Sequence, residues 1–209
     1  MALGKRRKRS IIHGITLLFI VGGCVFLFLG ITGAWTSHAS QKHALNQAKK
    51  ITAGVEQPQA IPLNSETERP TIESFHPKAD EVIGMVSLPT LNENLPIIQG
   101  TKTSQLKKGV GHFEKSSFPG EGNQVVLSGH RDTVFQDLGD LKKGDTVIVE
   151  VPYGLYTYSV DHAKIVKAND QSVIHPTDSE ELVLTTCYPF YYVGNAPKRY
   201  IVYAYPVKD

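Results

Sequence analysis

Apolar residues follow three different patterns along this chain. From Ile11 to Gly33 they are nearly continuous, with His13, Thr16 and Thr32 the clearly polar members of 23 residues. A helix of that length reaches about 35 Å, enough for the roughly 30 Å hydrocarbon core of a bilayer. Residues 36–80 are polar and apolar-poor, and Pro58, Pro62, Pro70 and Pro77 punctuate the second half. Proline fixes its own φ and restricts the residue before it, so no long regular element is predicted there. His38–Lys50 reads as a short polar helix. From Glu81 onwards the pattern changes to short apolar runs divided by Gly, Pro and Asn. Val82–Leu88 and Leu95–Gln99 read as strands around an Asn-Glu-Asn turn, and Asn123–Gly129 as a buried strand. Thr103–Glu114 reads as a short helix weakened by Gly109 and Gly111, and Asp137–Leu141 as at most one helical turn. Val147, Val149 and Val151 share one face of Asp145–Val151, and Tyr156, Tyr158 and Val160 oppose Thr157, Ser159 and Asp161. Glu181–Cys187 and Arg199–Val207 complete the set, and no second apolar span follows. The prediction is a mainly β domain, a closed or nearly closed barrel of roughly eight short strands.

Charge sharpens this division. Residues 1–50 hold eight of the 22 Lys and Arg and none of the 20 Asp and Glu, so residues 51–209 balance at −6. That excludes a basic nucleic-acid face on the barrel, because such binding rests on neutralising phosphates. Lys5, Arg6, Arg7, Lys8 and Arg9 stand immediately before the apolar run, which places that side of a membrane span in the cytoplasm and everything after Trp35 outside. The predicted organisation is a basic cytoplasmic tail over 1–10, a single-pass anchor over 11–35, a stalk over 36–80 and the barrel over 81–209. A cleaved signal peptide is an alternative, with Ser37-His38-Ala39 as its cleavage site, although its apolar region would be shorter. A lipoprotein reading of Cys24 conflicts with the apolar run continuing through Val25–Leu29, and a buried hairpin helix conflicts with the basic cluster.

Only Cys24 and Cys187 are available as thiols, which rules out a disulfide scaffold. Cys187 is the sole thiol beyond the span. It is either a small buried hydrophobe or a nucleophile. Leu184-Thr185-Thr186-Cys187-Tyr188-Pro189 sets it at a strand end, where proline must break the ladder. A rigid strand end beside a cleft is where nucleophilic catalysis would place sulfur, given a base or cation to activate it. Among eight histidines, His130 stands out because Val125–Gly129 is an apolar strand and the glycine permits a sharp turn. His112 reads as structural and His162 as a surface side chain. For an oxyanion a permanent planar cation is favoured, and the barrel offers Arg131 and Arg199. Arg199 opens the last strand 12 residues after Cys187, across a loop with Gly194, Asn195 and Pro197, so a hairpin would bring the two together; a solvated strand-end charge is the other reading. The histidines and Cys187 form no metal-ligand spacing, Glu114, Glu121, Asp170 and Asp178 form none either, and no cofactor motif is present.

The ordered strings Gly111-His112, Pro119-Gly120, Gly122-Asn123, Gly129-His130-Arg131-Asp132-Thr133, Leu184–Phe190 and Lys198-Arg199-Tyr200 resemble those of a sortase, the membrane-anchored cysteine transpeptidase of Gram-positive surfaces. The resemblance covers residues 81–209 and the anchor. The family cysteine motif TLxTC meets Val at position 183 here, on the strand side shared with Cys187. The resemblance implies a β-barrel of about eight strands. It also implies Cys187 as the nucleophile forming an acyl thioester, His130 as general acid and base, Arg199 as the oxyanion or substrate clamp, and Thr186 as a contact of the substrate or of the groups that support the catalytic residues. It implies surface proteins bearing LPxTG-like sorting signals as donors and an amine of the peptidoglycan precursor or cross-bridge as acceptor. The GHRDT and CYPF strings look most like class D, some of whose members prefer LPNTA. A pilin-polymerising class C enzyme is the runner-up, but residues 36–80 lack its Asp-Pro-aromatic lid. The residues also admit a thiol hydrolase, or a non-catalytic barrel that binds peptide through Tyr188, Tyr191 and Tyr192.

Overall fold

A computed structural model describes residues 17–26, 38–55, 70–191 and 194–207. The chain divides into two compact units, Met1–Ala39 and Ser40–Asp209. In the first, residues 17–26 are helical and their apolar side chains, Phe19 and Phe26 among them, are exposed. Among the described residues no helix is long and apolar enough to cross a membrane. Most of the predicted span, the basic tail and Trp35 lie outside the described residues, as does 56–69 of the predicted stalk.

The boundary between the units falls within a helix over residues 38–51, most of which belongs to the second. Ala44, Ala48 and Thr52 are buried at a spacing of four, so one side of it is covered. Eight strands follow: β1 (Val82–Leu88), β2 (Glu93–Gln99), β3 (Val110–His112), β4 (Gln124–Gly129), β5 (Thr146–Val151), β6 (Gly154–Lys167), β7 (Glu181–Tyr188) and β8 (Lys198–Pro206). They close into a barrel in the order β1-β2-β3-β4-β7-β8-β6-β5. The β2/β3 and β4/β7 pairs are parallel and all others antiparallel. The interior is filled by alternate residues of every long strand, including Val125 and Leu127 of β4, Val147, Val149 and Val151 of β5, Leu182 and Leu184 of β7, and Val202 and Ala204 of β8. Burial of each such side chain stabilises the fold by about 1.5–3 kcal/mol.

Two predicted elements differ from those observed. The helix expected over Thr103–Glu114 is a single turn at Thr103–Leu106, and Val110–His112 is instead a strand. Its glycines explain the change. A Cβ on Gly109 would run into the Pro96 carbonyl and one on Gly111 into the Gly100 carbonyl, so only glycine admits this close parallel pairing with β2. The strand read through Tyr156–Asp161 extends to Lys167, and a register shift between Val160 and His162 reverses its alternation without breaking the ladder to β8.

Candidate active site

The antiparallel register of β7 and β8 sets Cys187 directly opposite Arg199, and Tyr188 opposite Lys198. The parallel register of β4 and β7 sets Gly129 opposite Thr186, so His130 follows β4 at the level where Cys187 follows Thr186. One end of the barrel thus gathers the three side chains from three neighbouring strands. All three are half-buried. Strand alternation puts Cys187 on the face of Val183, and Arg199 on that of Ile201, outside the barrel interior. Val183 and Ile201 pack there with Val126, Val166, Val173 and Tyr203. Valine at position 183 is therefore a floor residue beneath the same surface that presents the thiol.

Thr186 points the other way. It is buried, and its hydroxyl donates to the Gly129 carbonyl at 2.8 Å. Of the two contacts the family resemblance implies for Thr186, with the substrate or with the groups that support the catalytic residues, the hydroxyl makes one of the second kind, bridging the residue before His130 to the residue before Cys187. Gly129 also differs from its expected role. Its φ is not positive. What excludes a larger residue is Phe135, whose ring a Cβ would strike, since the chain after His130 folds back beneath the strand end. That turn is held by the Phe135 N–H donating to the His130 carbonyl at 3.0 Å. Leaving β7, Tyr188 joins Pro189 through a cis peptide.

The Arg199 guanidinium donates through Nη1 to the carbonyls of Ala196 at 3.2 Å and Lys198 at 2.9 Å. Its Nε and Nη2 donors make no hydrogen bond to any other described residue, and the same holds for the His130 ring. Arg131, the other candidate cation, donates through Nη2 to the Gly194 carbonyl at 3.0 Å, joining the β4–β5 loop to the β7–β8 loop. By sequence alone Arg131-Asp132 reads as polar loop; what separates the two arginines is the register, which pairs only Arg199 with the thiol.

The other histidines lie elsewhere. His112 is fully buried, its Nδ1 2.9 Å from the Gln99 side-chain amide and its Nε2 3.0 Å from the Ser117 carbonyl. Burial holds its pKa below the ordinary imidazole value, partly countered by the Ser117 hydrogen bond. His162 is half-exposed, pairs with Asp161 at 2.9 Å and stacks on Tyr203. Among the described residues no group of three or more His, Cys, Asp or Glu side chains is placed to hold a metal.

A family model described as the sortase domain matches residues 86–207, which contain the whole of this site. The chain is 42% identical to Sortase D of Bacillus subtilis (strain 168) over 190 residues, 90% of this chain and 96% of the relative. The chain belongs to the sortase family. Sortases are cysteine transpeptidases, and this one is a class D homologue. Its barrel is similar to the catalytic domain of Bacillus anthracis SrtD, with a TM-score of 0.55 at 41% identity over 70% of this chain and 95% of that one. The fold also matches a Clostridium perfringens Sortase D5 transpeptidase, TM-score 0.67 at 22% identity, covering 81% of this chain and 99% of that one.

Proposed function

We propose that this sortase anchors surface proteins to peptidoglycan by transpeptidation at Cys187. The donor is an LPxTG-like sorting signal, with LPNTA the favoured variant. The Cys187 thiolate attacks the carbonyl carbon of the signal's threonine. Arg199 stabilises the oxygen that gains charge, through the guanidinium donors its loop carbonyls leave open. The C–N bond then breaks as His130 gives its proton to the departing amine, leaving an acyl thioester on Cys187. An amine of the peptidoglycan precursor or cross-bridge enters, His130 accepts its proton, and the new amide forms as the Cys187 thiolate leaves. The N-terminal segment holds the enzyme in the cell membrane with its tail in the cytoplasm and the barrel outside, where both substrates are found. The observation that carries this reading is the register pairing Cys187 with Arg199 beside the strand that delivers His130.

The test is intact mass of the full chain after incubation with LPNTA and LPETG peptides. The expected result is an acyl adduct, absent in Cys187→Ala and released on addition of an amine as the corresponding amide. An adduct that only water resolves would point to a hydrolase, and an adduct surviving in Cys187→Ala would remove Cys187 from the nucleophile's role. Cys187→Ala should unfold at nearly the parent temperature, because the thiol is in no disulfide and is only half-buried.

A further inference from the structure

The chain between β6 and β7, residues 168–180, crosses from the active-site end of the barrel to the opposite end, and it is fastened to β4 by side chains rather than by a sheet ladder. Gln124, the first residue of β4, is 3% exposed. Its Nε2 donates to the Val173 carbonyl at 2.9 Å and to Glu181 Oε1 at 2.7 Å, and its Oε1 accepts the His175 N–H at 3.2 Å. One amide therefore satisfies a donor and an acceptor two residues apart on the crossing segment. Asn123 Oδ1 accepts the Thr177 N–H at 2.9 Å. Farther along, the Glu180 carboxylate accepts the Tyr158 hydroxyl at 2.6 Å and the Gly120 N–H at 2.8 Å, tying the segment's end to the β3–β4 loop.

These fastenings have a consequence for the face that carries the thiol. Val173, whose carbonyl Gln124 holds, inserts its side chain among Val126, Val166, Val183 and Ile201. Val183 and Cys187 share one face of β7, and Ile201 and Arg199 share the adjoining face of β8, so the held segment forms a wall on the surface leading to the site. Between this wall and the β3–β4 loop lies a cleft of about 700 Å³, and Gln124 lines it together with Phe113, Asn169 and Ile174. A wall fixed before substrate arrives spares the ordering of a free segment on binding, and that saving appears in affinity.

We infer that Gln124 is a positioning residue that presets the Ala168–Thr177 wall for the sorting signal, acting on signal binding and not on the chemical step. This rests on the transpeptidase reading above. Gln124→Leu keeps the apolar bulk and removes all three hydrogen bonds. In the full chain we expect its KM for an LPNTA-type peptide to rise about tenfold with kcat within about twofold of the parent, the signature of lost ground-state binding. Alkylation of Cys187 by iodoacetamide should proceed at the parent rate, and amide exchange over 168–177 should accelerate. Asn123→Ala, which frees only the Thr177 N–H, should shift KM in the same direction by less, and it carries the test if Gln124→Leu does not fold. An unchanged KM, or unchanged exchange over 168–177, overturns the proposal. A fall in kcat with slower alkylation also overturns it, by showing a general loss of structure. A parent that turns over no signal peptide refutes the transpeptidase reading and this inference with it; a parent that turns over normally while both variants match it refutes the inference alone.

Discussion

Thr186 sits one residue from the nucleophile yet faces the barrel interior, and its hydroxyl on the Gly129 carbonyl fixes how far the end of β4 stands from the end of β7. That spacing decides where His130 meets Cys187. Replacing Thr186 by Val conserves shape but strands a buried carbonyl, a loss of about 1–3 kcal/mol. Because a small misplacement of reacting groups lowers rate steeply, we expect Thr186→Val to reduce kcat about tenfold or more while KM for the signal peptide stays near the parent value. Thr186→Ser, which keeps the hydroxyl, should recover most of the rate. Steady-state rates of the two variants decide the matter: equal losses in both would show that the methyl group, not the hydrogen bond, is what counts. The types of the site residues were legible in the sequence, since a lone thiol at a strand end invites a search for a base and a cation. Which way Thr186 points was not, because strand parity is defined only once β7 is seated between β4 and β8.

At the scale of elements, the described residues of the β4–β5 and β7–β8 loops meet above the site at Arg131 and at Phe190. Arg131 holds the Gly194 carbonyl. Phe190 lies against Gly139, where a Cβ would come within 2.7 Å of its ring. The β7–β8 loop also supplies the Ala196 carbonyl that Arg199 uses. Releasing the loop should therefore let the Arg199 guanidinium wander from the position in which it meets a developing oxyanion. Arg131→Met is expected to lower kcat/KM about tenfold, chiefly through kcat, and Arg131→Lys to restore part of the loss. Peptide-cleavage kinetics would refute this if Arg131→Met lost only affinity, or if Lys behaved as Met does. None of this could be read from Arg131-Asp132 as a polar string, because its partner is 63 residues away. The same limit applies to β3. Glycine at 109 and 111 argues locally for a weak helix or a loop, and becomes a strand signal only when β2 lies alongside. Elements with strict alternation, β5 above all, were legible because one side of each faces the barrel interior and period two survives in the sequence.

For the molecule as a whole, the barrel's two ends serve different purposes, and pH separates them. The site occupies the end where β4 and β7 finish. The other end is plugged by aromatic packing: Phe75 sits 5.2 Å from Phe118 and 5.1 Å from Tyr153, and His112 stacks on Phe118 at 4.5 Å. Closed eight-stranded architecture was legible from the count and shortness of the strands, but the order that puts parallel β4 and β7 side by side was not, since it depends on a crossing segment held by buried amides. Burial keeps His112 neutral, with a folded pKa below the value near 6.5 of the unfolded chain. Between those two values the unfolded state binds more protons, so stability rises with pH there. The contribution of His112 is thus complete above about pH 6.5 and is lost as pH falls toward the folded pKa. Thermal unfolding of the parent should weaken as pH is lowered from about 7 to 5, and His112→Gln should show a shallower dependence, whatever its absolute stability. His130, His162 and His175 are common to both proteins, so the difference between the two curves isolates His112. Parallel curves would refute the assignment. Because His112 lies at the plugged end, the pH profile of acyl transfer, measured well below the unfolding temperature, should be the same for parent and variant. A profile that moved with His112→Gln would mean the two ends are coupled through the barrel wall.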